Sequence, residues 1–125
     1  MSFRILPLAG LIAAFTVGIT GASLSAQSSP KLSLEQTSAV RCAAAFALVA
    51  QDQARGNTEA SQYPELGERG REFFVRIAAR LMDETGADRA IVADLMQSEA
   101  QKLQRDGNLS EVMQPCLFML EASGI

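Results

Sequence analysis

The sequence predicts an all-α fold, a small antiparallel four-helix bundle stapled by one disulfide and preceded by a cleaved signal peptide. Three observations predict it. Four stretches repeat apolar residues at helical spacing, with a recognisable start or stop residue at most of their ends. No stretch alternates apolar and polar residues as a half-buried strand does. The two cysteines, Cys42 and Cys116, lie near opposite ends of the chain that follows an export-like N-terminus. A length of 125 residues suffices for one small domain, and a hydrophobic fraction of 48% separates the chain from disordered, charge-dominated sequences.

Residues 1–26 read as a signal peptide. Met1 to Arg4 form a short basic start, Ile5 to Ile19 an uncharged apolar stretch, and Thr20 to Ala26 a small, polar approach to a cut after Ala26. No charge occurs from Ile5 to Ser29, so an uncleaved segment would be long enough for a bilayer, and a membrane is a partner only in that case. Gly18, Gly21 and the serines dilute the apolar run and favour cleavage. Removal of these residues leaves 99 residues carrying ten basic and fourteen acidic side chains. Residues 27–32 are then a flexible polar leader, and 33–125 a single helical domain with helices at about 34–55, 64–85, 89–105 and 109–122. Exported domains of this size often carry a covalent staple, so a Cys42–Cys116 disulfide is expected.

Ser33 with Gln36 forms a capping box for the first helix, which stops at Gly56. Cys42, Phe46 and Val49 mark its inward stripe, flanked by alanines that let a neighbouring backbone approach. Pro64 suits the first turn of a second helix that stops at Gly86. Leu66, Phe73, Phe74, Ile77, Ala78, Leu81 and Met82 cover so wide an arc that this helix is expected to be the most buried. Its other face is a ladder of Glu65, Arg69, Glu72, Arg76, Arg80 and Glu84, read as a solvated face. Asp88 caps the third helix, which carries Ile91, Val92, Leu95, Met96, Ala100 and Leu103 and stops at Gly107. Asn108 and Glu111 stand at capping-box positions for the fourth, whose seam is Leu109, Val112, Met113, Cys116, Leu117 and Leu120. Pro115 lies too far in to be a first-turn proline, so a kink or a 3₁₀ start is expected before Cys116.

One residue breaks the apolar pattern. Glu99 stands in the middle of the third helix's stripe, and a buried carboxylate needs a partner. Arg71 is the corresponding misfit on the second helix, and counting across the 86–87 turn brings it near the level of Glu99. An Arg71–Glu99 ion pair is therefore expected. Phe74, Val75 and Met82 are the candidates for an apolar interaction surface, because one helix of a small bundle rarely buries so wide an arc.

The composition excludes several classes of chemistry. Without histidine there is no Ser-His-Asp or Cys-His set, no histidine metal site and, with two cysteines, no Cys₄ zinc module. Met82, Met96, Met113 and Met119 form no tight thioether cluster for cuprous copper and read as core filling. No phosphate loop follows a strand. No catalytic residue, metal or cofactor is therefore expected. The net charge of −3 argues against nucleic acid as a partner. With no histidine, any acid response must come from carboxylates titrating near pH 4–5. In size, export signal and cysteine count the chain resembles the small, helical, single-disulfide proteins of the bacterial periplasm, of which acid-stress chaperones are an example; no stretch of residues matches them. The expected function is a non-catalytic binding or chaperone-like module, periplasmic or secreted, whose partner is a protein or an apolar ligand. The alternative is an accessory or assembly subunit that buries its apolar face in a homodimer or an envelope complex.

Overall fold

The structure, a computed structural model, describes residues 28–125. The signal segment at 1–26 lies outside the described residues. Four helices follow one another: α1 (Leu34–Ala54), α2 (Arg69–Thr85), α3 (Arg89–Asp106) and α4 (Leu109–Ala122), with one 3₁₀ turn at Ala60–Gln62. There is no strand among the described residues. Of the polar leader, Ser28 and Ser29 are exposed, whereas Leu32 packs against the core and ties the chain down before α1 begins.

The local signals account for most helix ends. The Ser33 hydroxyl accepts from the Gln36 N–H at 3.1 Å while the Gln36 amide oxygen accepts from the Ser33 N–H at 2.9 Å, a complete capping box. Asp88 accepts from the Ile91 N–H at 2.9 Å and opens α3. Gly86 and Gly107 close α2 and α3 in the left-handed region, at φ 72° and 64°. Asn108 departs from expectation. Its backbone (φ −106°, ψ 19°) is not extended as a capping residue's is, so its side chain cannot reach back to the helix and makes no cap bond. Helix α4 runs unbroken through Pro115. Pro115 and Glu111 are both exposed, so the carbonyl left without a donor faces water, and the expected 3₁₀ start is not needed.

Helix α2 starts five residues later than Pro64. A side chain of α1 explains the delay. The Gln53 amide donates to the carbonyls of Ala60, Tyr63 and Pro64, at 3.2, 3.3 and 2.8 Å, and its oxygen accepts from the Leu66 N–H at 3.0 Å. The linker is thereby held in a non-helical path and Leu66 is driven fully into the core.

The most buried helix is α1, not α2. Ala39, Val40, Cys42, Ala43, Ala44, Ala45, Phe46 and Val49 are all buried, more than one full turn of them consecutive, because α2, α3 and α4 all pack against α1. In α2 only Gly70, Phe73 and Leu81 are buried; Phe74, Ile77, Ala78 and Met82 are half-covered. Phe46 meets Phe73 edge to face with ring centroids 5.2 Å apart. The Cys42–Cys116 disulfide joins α1 to α4 with both sulfurs inside the core and a sequence separation of 74. Closing a loop of that length restricts the unfolded chain by about 4 kcal/mol in the chain-entropy picture.

Two features of the α1–α2 contact yield tests. A Cβ added at Gly70 would stand 3.1 Å from the Phe46 Cβ and 3.4 Å from the Leu66 Cβ, whereas one at Gly67 would meet only the flexible end of Glu65. Gly70→Ala is therefore expected to destabilise by about 1 kcal/mol despite alanine's better helix propensity, and Gly67→Ala to be neutral or slightly stabilising. Urea unfolding of the two variants checks the contrast; equal effects would mean that α2 does not lean on α1 through Gly70. The far end of the contact is ionic. Arg80 bonds Glu84 at 2.6 Å and Glu35 at 3.0 Å, and Gln36 donates to Glu84 at 2.8 Å. The Arg80 hydrogen bond, then that from Gln36, hold the Glu84 carboxyl below its ordinary value. A carboxyl depressed in the folded state stabilises above the ordinary carboxylate range, and that contribution disappears as pH falls through the lowered value. Stability is expected to drop on acidification below about pH 4.5, less steeply in Glu84→Gln, as denaturant midpoints between pH 5 and 3 will read out.

Candidate functional site

The apolar residues of α2 that α1 cannot cover are the starting point. Phe73 and Leu81 point to α1 and are buried, and Phe74, Ala78 and Met82, rotated away from them, turn toward α3. A short turn after Gly86 lays α3 beside α2. Between the two helices lies a groove of about 330 Å³, walled by Phe74, Val75, Ala78 and Met82 on one side and by Val92, Ala93 and Met96 on the other. Its surface is almost wholly apolar, with Arg89 the one charged residue on its wall. Val75 is 59% exposed, an apolar side chain standing in water at the groove's edge. The three residues expected to form an interaction surface, Phe74, Val75 and Met82, are thus brought together. The α3 half of the wall was missed because Val92 and Met96 read from the sequence as core, and both are in fact buried at the groove's floor.

The expected ion pair is corrected. Glu99 is buried, at 6% exposure, but its partner is Arg41 of α1, whose Nε donates to Oε1 at 2.8 Å. Lys102, one turn along α3, approaches the other oxygen at 3.4 Å. Arg71 is exposed on α2 and makes no ion pair among the described residues. Register along the α2–α3 hairpin sets level, not direction: the stripe that contains Glu99 faces α1, so the cation that reaches it comes from α1 and not from α2. Arg41 is the one basic residue within α1, and that was the available signal.

The remaining clefts offer less. A mixed polar hollow of about 300 Å³ lies where the end of α1 and the 3₁₀ turn meet the α3–α4 corner, with Asp52, Glu59 and Tyr63 on its wall. Among the described residues, the Ser110 and Tyr63 hydroxyls on its wall make no hydrogen bond to Asp52 or Glu59. Beside it, the buried Asn108 Oδ1 has no hydrogen-bond partner among the described residues. No group of three or more acidic or cysteine side chains among the described residues is placed to hold a metal ion. No described helix is long and apolar enough to cross a membrane. No protein-family model matches the chain, and no curated protein or solved structure matches it.

The Glu99 cluster makes an asymmetric prediction. Arg41 and Lys102 are half exposed, at 46% and 53% of the side chain, and remain hydrated if Glu99 is lost. Glu99, buried, has no such access to water if Arg41 is lost and keeps only the longer contact to Lys102. Arg41→Leu is expected to cost about 2 kcal/mol and Glu99→Leu less than about 1 kcal/mol. Chemical denaturation of both variants decides; a larger loss from Glu99→Leu would mean that the pair is a net source of stability.

Proposed function

We propose that this chain is a non-catalytic binding module, chaperone-like in that it holds an apolar segment of another protein or an apolar ligand in the α2–α3 groove. The observation that carries the reading is the groove itself. It has the volume of the smaller ligand pockets, about 300 Å³ upwards, an apolar lining and an exposed valine at its mouth. Burying apolar surface returns roughly 25 cal/mol per Å², so an uncovered wall of this kind favours any apolar occupant that fits. A cationic rim residue, Arg89, suits an occupant with an acidic or carbonyl-bearing end.

We further propose that the module works in the periplasm or outside the cell. The disulfide supports an oxidising compartment, and the basic-then-apolar start of the sequence supports export. The reading that no catalysis occurs rests on the missing histidine and on the absence of a paired nucleophile and base in the clefts of the described residues.

An amphipathic fluorescent dye such as bis-ANS, titrated onto the oxidised chain, tests the groove. Val75→Glu places a charge at its mouth without touching the core and is expected to weaken binding about tenfold, with helix content unchanged. Phe118→Ser removes an exposed aromatic side chain on α4 and is expected to leave binding intact. The reverse pattern would place the binding surface on α4 and overturn the assignment.

A further inference from the structure

We propose that a second copy of this chain occupies the α2–α3 groove, in a two-fold symmetric dimer whose α2 helices run antiparallel. The proposal rests on the reading of the groove as a binding surface and names the occupant it takes when no other ligand is present. Its basis is a stripe on the outer side of α2. Residues four apart form a ridge inclined by about 26° to the helix axis, so Arg71, Val75, Ala79 and Asp83 form one oblique row, and all four are exposed. The line has a cation at one end, an anion at the other and small apolar side chains between, and the middle pair borders the groove.

Such a stripe is complementary to itself only when reversed. Aligned antiparallel about the level of Ile77, Arg71 meets the partner's Asp83 and Val75 meets the partner's Ala79. Each contact occurs twice, as two-fold symmetry requires. The two ion pairs then stand about 18 Å apart along the helix, on either side of an apolar centre. A parallel alignment would set like charges against each other at both ends. Val75 supplies a projecting side chain and Ala79 the space opposite it, over the groove floored by Ala78, Val92 and Met96.

The other charged side chains of α2 are already engaged. Arg69 binds Glu121, Arg76 binds Glu72, and Arg80 binds Glu84 and Glu35, whereas Arg71 and Asp83 make no ion pair among the described residues. The two charges of α2 that make no ion pair among the described residues are thus the two that the antiparallel register brings together. Arg89 closes the groove from the α3 side and is not on the stripe.

Sedimentation velocity of the oxidised chain over a dilution series tests the proposal. A dimer is expected, with its dissociation constant raised about tenfold in Arg71→Asp and again in Asp83→Arg. The first variant carries carboxylates at both ends of the stripe and the second guanidinium groups at both, so an equimolar mixture of the two is expected to associate at least as tightly as the parent chain. Arg89→Ala is expected not to weaken the dimer. All of these positions are exposed, and far-UV circular dichroism confirms that each variant folds. A chain that stays monomeric at every concentration, a dimer indifferent to both charge reversals, or variants that fail to complement each other would overturn the proposal. The two readings fail separately. A monomer that binds bis-ANS through Val75 removes the second copy and leaves the binding module, while a charge-dependent dimer whose dissociated chains bind no dye does the opposite.

Discussion

The arrangement depends on how closely three helices can approach a fourth. Helix α1 has five consecutive buried residues, Cys42 to Phe46, three of them alanine. Three helices can pack closely on a fourth in a domain this small only if its buried side chains are short, and the buried residues of α1 meet that condition everywhere except at Val40, Phe46 and Val49. Where Phe46 projects, α2 answers with glycine: Gly70 leaves its Cα against the Phe46 Cβ, and the ring is taken up edge-on by Phe73. The disulfide acts on the same helix, since Cys42 belongs to the buried run and Cys116 to the seam of α4.

A central helix changes what its neighbours have to cover. In a square bundle each helix shares its apolar band between two neighbours. Here α2, α3 and α4 all turn toward α1, and the band of α2 is wider than one slender partner can bury. The surplus is Phe74, Ala78 and Met82, and the groove with α3 is the consequence. The same geometry places Glu99. Its stripe on α3 faces α1, so the cation that reaches it comes from α1, with a half-exposed stem that lets Arg41 bridge water and core.

Much of this was legible from residue types alone, and the failures have a common cause. The capping box at Ser33, the Asp88 cap, the glycine stops and the cysteine pairing are local or nearly forced signals, and each appears where the sequence puts it. The Arg71 pairing, the rank of α2 as most buried and the start at Pro64 each required knowing which neighbour a face meets. Periodicity reports that Glu99 points inward but carries no information on what stands opposite. Width of apolar arc was a poor guide to burial, because a run of alanines presents little apolar signal yet permits the closest packing. Likewise the late start of α2 is dictated by Gln53, eleven residues away from the proline it restrains.

Exposed apolar side chains need separate explanations, and the contrast among three of them is informative. Leu34, Val75 and Phe118 are all more than half exposed. Isolated exposed apolar residues are ordinary on protein surfaces, and Leu34 and Phe118 line no cleft among those described. Val75 differs: it joins the wall of an apolar groove, next to half-covered Phe74, yet it is not packed into the core. A polar residue at 75 would leave every contact of the bundle in place and would shorten the uncovered surface. Folding therefore gives no reason for a valine there. The groove does, since an apolar edge extends the wall outward to meet whatever covers it, and the charges at 71 and 83 mark where that cover begins and ends.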